Sequence, residues 1–295
     1  MKVSIIGPGA LGCVFATYIA RAGVNVVLVD YREDRARRLS QYGIAIEDRN
    51  GIQTFAMPVQ TVVPEDASFA IVLVKSYATK YLRFPKPIPV LTLQNGLGNV
   101  EVLARQVGED FVLAGVTSEA STLLSEGHTR HVAAGITRLA SWTGSSKNIT
   151  YVADCLSRAG FNIRIESDAR RLLWSKLVAS AAINPLTALY NVTNGELLRH
   201  SGLRDQFTAL AREAVDVAEA EGVVFDEDPV EEAMAICEHT SANISSMLQD
   251  IRMRRSTEIE SIAGEIVRRG ESFGLSVEHT RRMLLKIRDL QQNGR

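Results

Sequence analysis

Strand, glycine turn, helix and second strand fill the first thirty residues, and that order constrains the chain more than any other stretch. Lys2 to Ile6 is a short apolar run, Gly7-Pro8-Gly9-Ala10-Leu11-Gly12 follows at once, Cys13 to Ala22 has the apolar content of a buried helix, and Val24 to Val29 predicts a second strand after Gly23. Each glycine has a separate job. Gly7 permits the tight turn, Gly9 lets a pyrophosphate approach the backbone, and Gly12 lets the helix pack close to the sheet. The helix N-terminus offers unpaired N–H groups and a partial positive charge to phosphates. Asp30 follows the second strand, where an acidic residue accepts from the free ribose 2′-hydroxyl of NAD. A bare glycine turn without a ligand is the plain alternative, and the full strand-turn-helix-strand context weighs against it.

The 295 residues suit one large domain or two ordinary ones, with 46% hydrophobic residues to build cores. A formal net charge of −1 argues against a general nucleic-acid binder. Cys13, Cys155 and Cys237 are odd in number and far apart, which suits a reducing cytosol and no disulfide framework. His128 and His131 lack the companions a metal site requires, so no metal is expected. No apolar run is read as a membrane span, and the apolar N-terminus is read as a strand and not as a signal peptide.

Phe69 to Val74 and Val90 to Leu93 predict buried parallel strands. Each ends in polar residues, Lys75-Ser76 and Gln94-Asn95-Gly96, which points them at a cofactor cleft beyond the carboxyl edge of a sheet. The proline-bearing link between them leaves little room for a crossover helix. Val112 to Thr117, Gly135 to Ser141 and Asn162 to Glu166 predict further strands, Gly127 to Val132 the start of a hairpin, and Asn148 to Arg158 a helix. Past Asp168 the pattern is helical. The expected architecture is therefore α/β: an N-terminal Rossmann-type dinucleotide-binding domain over residues 1–167, then an all-α substrate and catalytic domain over 168–295.

Two polar stripes interrupt the apolar helices. Lys176, Ser180 and Asn184 are spaced i, i+4, i+8 on a mostly apolar helix, and Pro185 predicts a kink at Asn184. By spacing alone Lys176 reads as a snorkelling surface lysine. Ser246, Asp250, Arg254 and Glu258 continue at i+4 on an expected long helix from 238 to 273, where surface ion pairs are the plain reading.

The chain resembles the ketopantoate reductase (2-dehydropantoate 2-reductase) family over essentially its whole length. The likeness rests on the glycine turn, Val74-Lys75, Gln94-Asn95-Gly96-Leu97-Gly98 and His131-Val132-Ala133-Ala134-Gly135-Ile136-Thr137. It continues through Trp174-Ser175-Lys176-Leu177, Ile183-Asn184-Pro185-Leu186-Thr187-Ala188, Asn194-Gly195-Glu196-Leu197, the run Asn243 to Arg252 and Thr257-Glu258-Ile259. The resemblance implies reduction of ketopantoate to (R)-pantoate by a nicotinamide cofactor, on the route to pantothenate and coenzyme A. It implies that Lys176 is the general acid, with Glu258 beside it and the substrate. Asn184 and Ser246 hold substrate hydroxyl and carboxylate groups with Asn243 nearby, and Lys75 and Asn95 lie at the cofactor cleft.

Three departures stand out. Ser180 replaces an asparagine common in the family, which leaves room for a related 2-oxo acid reductase with another branched substrate. The link from Ala78 to Pro89 is shorter than usual. The family's arginine at the end of the second strand, which binds the 2′-phosphate of NADPH, gives way to Val29-Asp30-Tyr31-Arg32. The family expectation is NADPH, Asp30 points to NADH, and Arg32 or Arg35 offers an alternative phosphate contact. A nicotinamide-binding sensor without catalysis is a further reading, opposed by Lys176 and Glu258 occurring together. Amphipathic helices can bury a face within one chain or between two, so a homodimer is compatible with them.

Overall fold

The computed structural model describes residues 1–293, without the side chains of Ser146 and Asn293. In chain order the elements are β1 (Lys2–Ile6), α1 (Ala10–Arg21), β2 (Asn25–Val29), α2 (Glu33–Tyr42), β3 (Ile44–Asp48), β4 (Gly51–Phe55), β5 (Val59–Gln60), β6 (Phe69–Val72) and β7 (Val90–Thr92). Next come α3 (Asn99–Val107), β8 (Val112–Thr117), β9 (Ala120–Ser125), β10 (His128–Ala133), β11 (Ile136–Ser141), α4 (Ser146–Arg158), β12 (Asn162–Ile165) and α5 (Ala169–Tyr190). The remainder is helical: α6 (Glu196–Arg199), α7 (Ser201–Ala220), α8 (Pro229–His239), α9 (Ser246–Arg252), α10 (Glu265–Ser272) and α11 (Glu278–Asn293). The chain forms two compact units, Met1–Gln94 with Asn99–Leu172, and Asn95–Gly98 with Leu173–Arg295. The division between these compact units falls inside α5, and four residues after β7 group with the helical unit.

In the first unit an eight-stranded sheet runs β12-β11-β8-β7-β6-β1-β2-β5. All neighbours pair parallel except β8 with β11. The carboxyl ends of β1, β2 and β6 therefore share one edge. β6 is buried at every position, as a strand covered on both faces must be. Its link to β7 is a 3₁₀ turn over Ser76–Tyr81 in place of a crossover helix. From α1, Phe15 stacks on Phe161 with ring centroids 4.2 Å apart.

A second sheet, β4-β3-β10-β9, joins this unit. The hairpin expected near Gly127 is β9–β10, but β3 and β4 were not legible. The sheet is tied to α1 through buried polar groups. Tyr18 Oη lies 2.8 Å from His131 Nδ1, and His131 Nε2 lies 2.6 Å from Glu119 Oε2. His131 is thus a structural link, and His128, three residues earlier on β10, stands at ion-pair distance from Glu47.

In the second unit, α5 is long and apolar enough to cross a membrane by length and composition, contrary to the reading that no run is. Of its most apolar window, 72% is buried inside the protein, which accounts for its apolarity without a bilayer. The helix continues past the expected kink position at Asn184 and carries Pro185 within it, ending at Tyr190. Glu213 of α7 closes the start of α11: its carboxylate accepts from the backbone N–H groups of His279 and Thr280 at 2.8 and 2.7 Å and from Thr280 Oγ1 at 2.6 Å. Glu213→Ala leaves the buried Thr280 donors unpaired and is expected to destabilise the protein by about 2–3 kcal/mol in urea unfolding.

The single helix expected over 238–273 does not exist. The chain leaves α8 at His239, turns, forms α9, and breaks again where Arg254 takes φ +53°. Helical geometry resumes at Ile259 as a wide π turn over Glu260–Gly264 that runs into α10. The i+4 stripe from Ser246 to Glu258 is therefore broken: Ser246 and Asp250 lie in α9, Arg254 in the turn after it, and Glu258 just before helical geometry resumes.

Candidate active site

The glycine turn is built as its sequence demands. Gly7 has φ +104° and donates its N–H to the Val29 carbonyl at 2.9 Å. A Cβ there would stand 2.7 Å from Val74 N, and one on Gly12 would stand 2.0 Å from the Gly7 carbonyl oxygen. Both glycines are required by the protein's own packing. Gly9 is different. Its φ is −80°, and a Cβ would meet nothing within 4 Å. Packing does not explain a glycine there, whereas a phosphate group approaching the backbone does. Gly9 caps α1, no side chain caps the helix, and its first turn holds no acidic residue. Pro8, Ala10 and Leu11 complete the turn. These residues fit a dinucleotide pyrophosphate.

Asp30 is buried at the carboxyl end of β2. Its Oδ1 accepts from Arg32 N at 3.0 Å. Arg35 Nη1 lies 3.2 Å from Oδ2, but out of line for a hydrogen bond, so Oδ2 is a buried acceptor without one among the described residues. Arg35 also donates from Nη2 to the Pro8 carbonyl at 2.6 Å, which pins it to the turn. The Arg32 guanidinium points instead to Asp34, at 3.2 Å, on the exposed side of α2. Lys75 sits just past β6 and opens the 3₁₀ turn.

The second group of residues belongs to the helical unit. Lys176, Ser180 and Asn184 share one face of α5. Burial is the larger influence on Lys176 and lowers its pKa below the ordinary 10.5; the nearby Glu258 carboxylate pushes it back up. Glu258 is itself buried, and its Oε2 accepts from Asn95 Nδ2 at 3.1 Å. Residues 163 positions apart in the chain thus meet beside the lysine.

Asn95 is held by its own loop. Leu97 N donates to the carbonyl of Ser261, which lies in the π turn, at 2.8 Å. Gly96 has φ +80°, and a Cβ on it would stand 2.3 Å from that same carbonyl oxygen. Ser246 begins α9, next to Ser245, which caps it by accepting from Leu248 N at 3.1 Å. Ser245 Oγ lies 2.7 Å from Thr187 Oγ1 on α5, which fastens the start of α9 one turn from Asn184. Asn243 and Ser246 are both exposed there.

Sequence reasoning assigned no role to Asn194. The structure buries it, with Nδ2 donating to Thr240 Oγ1 at 2.9 Å and its backbone N–H donating to the Asn243 carbonyl at 3.0 Å. Its Oδ1 has no hydrogen-bond partner among the described residues, a buried acceptor beside the Asn243 segment. The Asn194-Gly195-Glu196-Leu197 run was the available signal, but nothing local distinguishes it from a helix entry.

Comparison with known proteins agrees with both units. The family model described as "Ketopantoate reductase PanE/ApbA" matches residues 3–144, and "Ketopantoate reductase PanE/ApbA C terminal" matches residues 168–291. The chain is 35% identical to the 2-dehydropantoate 2-reductase of Archaeoglobus fulgidus over 298 residues, covering 98% of each chain. It is 32% identical to that of Halobacterium salinarum over 303 residues, covering all of both. A solved PanE/ApbA family ketopantoate reductase from Ralstonia eutropha JMP134 superposes with a TM-score of 0.90 at 28% identity, covering 100% of this chain and 99% of that one. With both family models and full-length relatives in agreement, the chain belongs to the ketopantoate reductase family.

Proposed function

We propose that the protein reduces 2-dehydropantoate to (R)-pantoate with a nicotinamide dinucleotide. The observation that carries this reading is a partly buried lysine supported by a buried carboxylate, Lys176 with Glu258, in a chain that also has a complete nucleotide turn. The cofactor supplies a hydride to the keto carbon when bound. Residues 1–167 bring the dinucleotide-binding groups and residues 168–295 the proton donor and the substrate-holding groups.

As hydride adds, negative charge builds on the keto oxygen. The Lys176 ammonium stabilises that charge and delivers the proton. Burial makes the ammonium a stronger acid than a surface lysine, and the Glu258 carboxylate opposes burial by favouring the charged form. Asn95 holds the Glu258 carboxylate in place through Oε2. Ser180, Asn184, Asn194, Asn243 and Ser246 supply hydroxyls and amides suited to a small hydroxylated 2-oxo acid. Ser180 favours a second reading: a shorter side chain than the family's asparagine would admit a bulkier or less hydroxylated branched 2-oxo acid.

Initial-rate oxidation of NADH and NADPH with ketopantoate, and with a panel of other branched 2-oxo acids, tests both readings. Turnover greatest with ketopantoate supports the first; strong preference for another acid replaces it with the second.

The pH profile carries a further expectation. Only protonated Lys176 is active, so kcat/KM falls as pH rises through its pKa, at a pH below the ordinary lysine value of 10.5. Glu258→Gln removes the charge that raises this pKa. The basic limb is therefore expected to move to lower pH, measured as kcat/KM from pH 6 to 10. A basic limb unmoved or shifted upward would contradict the pairing.

A further inference from the structure

We propose that Glu126 is a cofactor-specificity residue: from the β9–β10 turn it holds the arginines of α2 in ion pairs, so that the end of β2 takes a free ribose 2′-hydroxyl on Asp30 and rejects a 2′-phosphate. This rests on the nicotinamide-dinucleotide reading.

The stretch after β2 is rich in arginine, which by itself would suit a phosphate. Its arginines are already engaged. Arg38 makes a two-pronged contact with Glu126, Nε to Oε1 at 2.6 Å and Nη2 to Oε2 at 3.0 Å, and reaches Asp34 at 3.0 Å through Nη1. Arg32 shares that same Asp34 oxygen at 3.2 Å. Arg37 stands 3.2 Å from Glu33. Arg35 is held between Asp30 at 3.2 Å, Glu126 at 3.8 Å and the Pro8 carbonyl. Arg32, Arg35, Arg37 and Arg38 thus face Asp30, Glu33, Asp34 and Glu126 one for one, and the patch carries no surplus positive charge.

The carboxylates respond accordingly. Arg38 foremost holds the Glu126 carboxyl below its usual range, with Arg35 and Arg32 adding to it. Arg38 and then Arg32 bring Asp34 down to about 2.

A 2′-phosphate brings roughly −1.5 to −2 charges. To bind, it would have to take an arginine from its carboxylate while standing beside Asp30. A hydroxyl asks for one acceptor only. Asp30 Oδ2 is buried and lacks a hydrogen bond among the described residues, and Arg35 covers it; a swing of Arg35 off Asp30 opens that acceptor to the ribose. Glu126 is what distinguishes this arrangement from a simple acidic strand end. It comes from the second sheet, which is no part of the βαβ turn, and it keeps Arg38 and Arg35 from gathering on a phosphate.

The test is calorimetric titration of the whole protein with NAD⁺ and with NADP⁺, which reads binding without turnover. The wild-type protein is expected to bind NAD⁺ at least about 10-fold tighter. Glu126→Gln, an exposed and near-isosteric change, is expected to raise the NADP⁺-to-NAD⁺ affinity ratio by about 5- to 10-fold. Adding Arg35→Gln to that variant is expected to abolish the gain. Asp30→Asn is expected to shift the ratio further than Glu126→Gln. Equal or tighter NADP⁺ binding by the wild type overturns the proposal, as does a ratio unmoved by Glu126→Gln in a protein of unchanged melting temperature. Failure to bind either dinucleotide is a different result, which overturns the nicotinamide reading and this proposal with it.

Discussion

Lys176→Ala is expected to lower kcat/KM for ketopantoate by about 10²- to 10⁴-fold, the usual contribution of a positioned general acid. The loss should fall on kcat and kcat/KM alike, because the charge that Lys176 meets develops only as hydride is transferred. The protein should remain folded. Lys176 lies partly buried on an apolar helix where burial disfavours its charge, so removing the ammonium also removes that penalty. Glu258 would lose a charged neighbour but keep the Asn95 amide at 3.1 Å. Lys176→Arg is expected to fail nearly as badly: a guanidinium can support a developing oxyanion but does not give up a proton at neutral pH. Steady-state kinetics beside thermal unfolding separates these effects. Turnover near the wild-type level in a folded Lys176→Ala variant would sink the assignment.

Gly9→Ala and Gly12→Ala are expected to fail in opposite ways, although the two positions lie in one turn. At Gly12 the new methyl would stand 2.0 Å from the Gly7 carbonyl oxygen, a backbone atom that cannot step aside without moving β1 or α1. Overpacking of this kind typically costs about 1–3 kcal/mol, occasionally more. The first unit should therefore unfold at lower urea concentration, and dinucleotide affinity should fall with the loss of the turn. At Gly9 the methyl meets no atom within 4 Å and the backbone is ordinary for any residue, so stability should be unchanged. The space it fills is where a pyrophosphate would approach, and dinucleotide affinity should fall by about 10-fold or more. Urea unfolding and dinucleotide titration on both variants resolve the pair. A stable Gly9→Ala protein with undiminished dinucleotide affinity would mean that the turn holds no phosphate.

What could be read from residues in order was whatever short-range patterning specifies. β1, α1 and β2 announce themselves because three glycines with different steric duties sit between two apolar runs. The buried strand β6 shows as an apolar run, and the face bearing Lys176, Ser180 and Asn184 follows from the 3.6-residue period. What failed was patterning that local rules cannot see. β4 is exposed along most of its length, so no alternation marks it, and β3 pairs with β10, a strand far along the chain. The long helix over 238–273 was read from a period that persists in the side chains while the backbone departs from it. Ser246 and Asp250 belong to α9, and Glu258 follows a break at which Arg254 is left-handed.

The sequence by itself determined the glycine turn, the buried strands of the parallel sheet and the shared face of Lys176, Ser180 and Asn184, because each depends on contacts within a few residues or on a period. The tertiary structure alone decided the meeting of Glu258 with Asn95, the pinning of Asn95 through Leu97 and Ser261, the buried free acceptor of Asn194, and the capture of Arg35 and Arg38 by Glu126. Those are pairings of single polar groups across long stretches of chain. A hydrogen bond or ion pair leaves no period in the sequence; it exists only once burial and packing have brought its two ends to within about 3 Å.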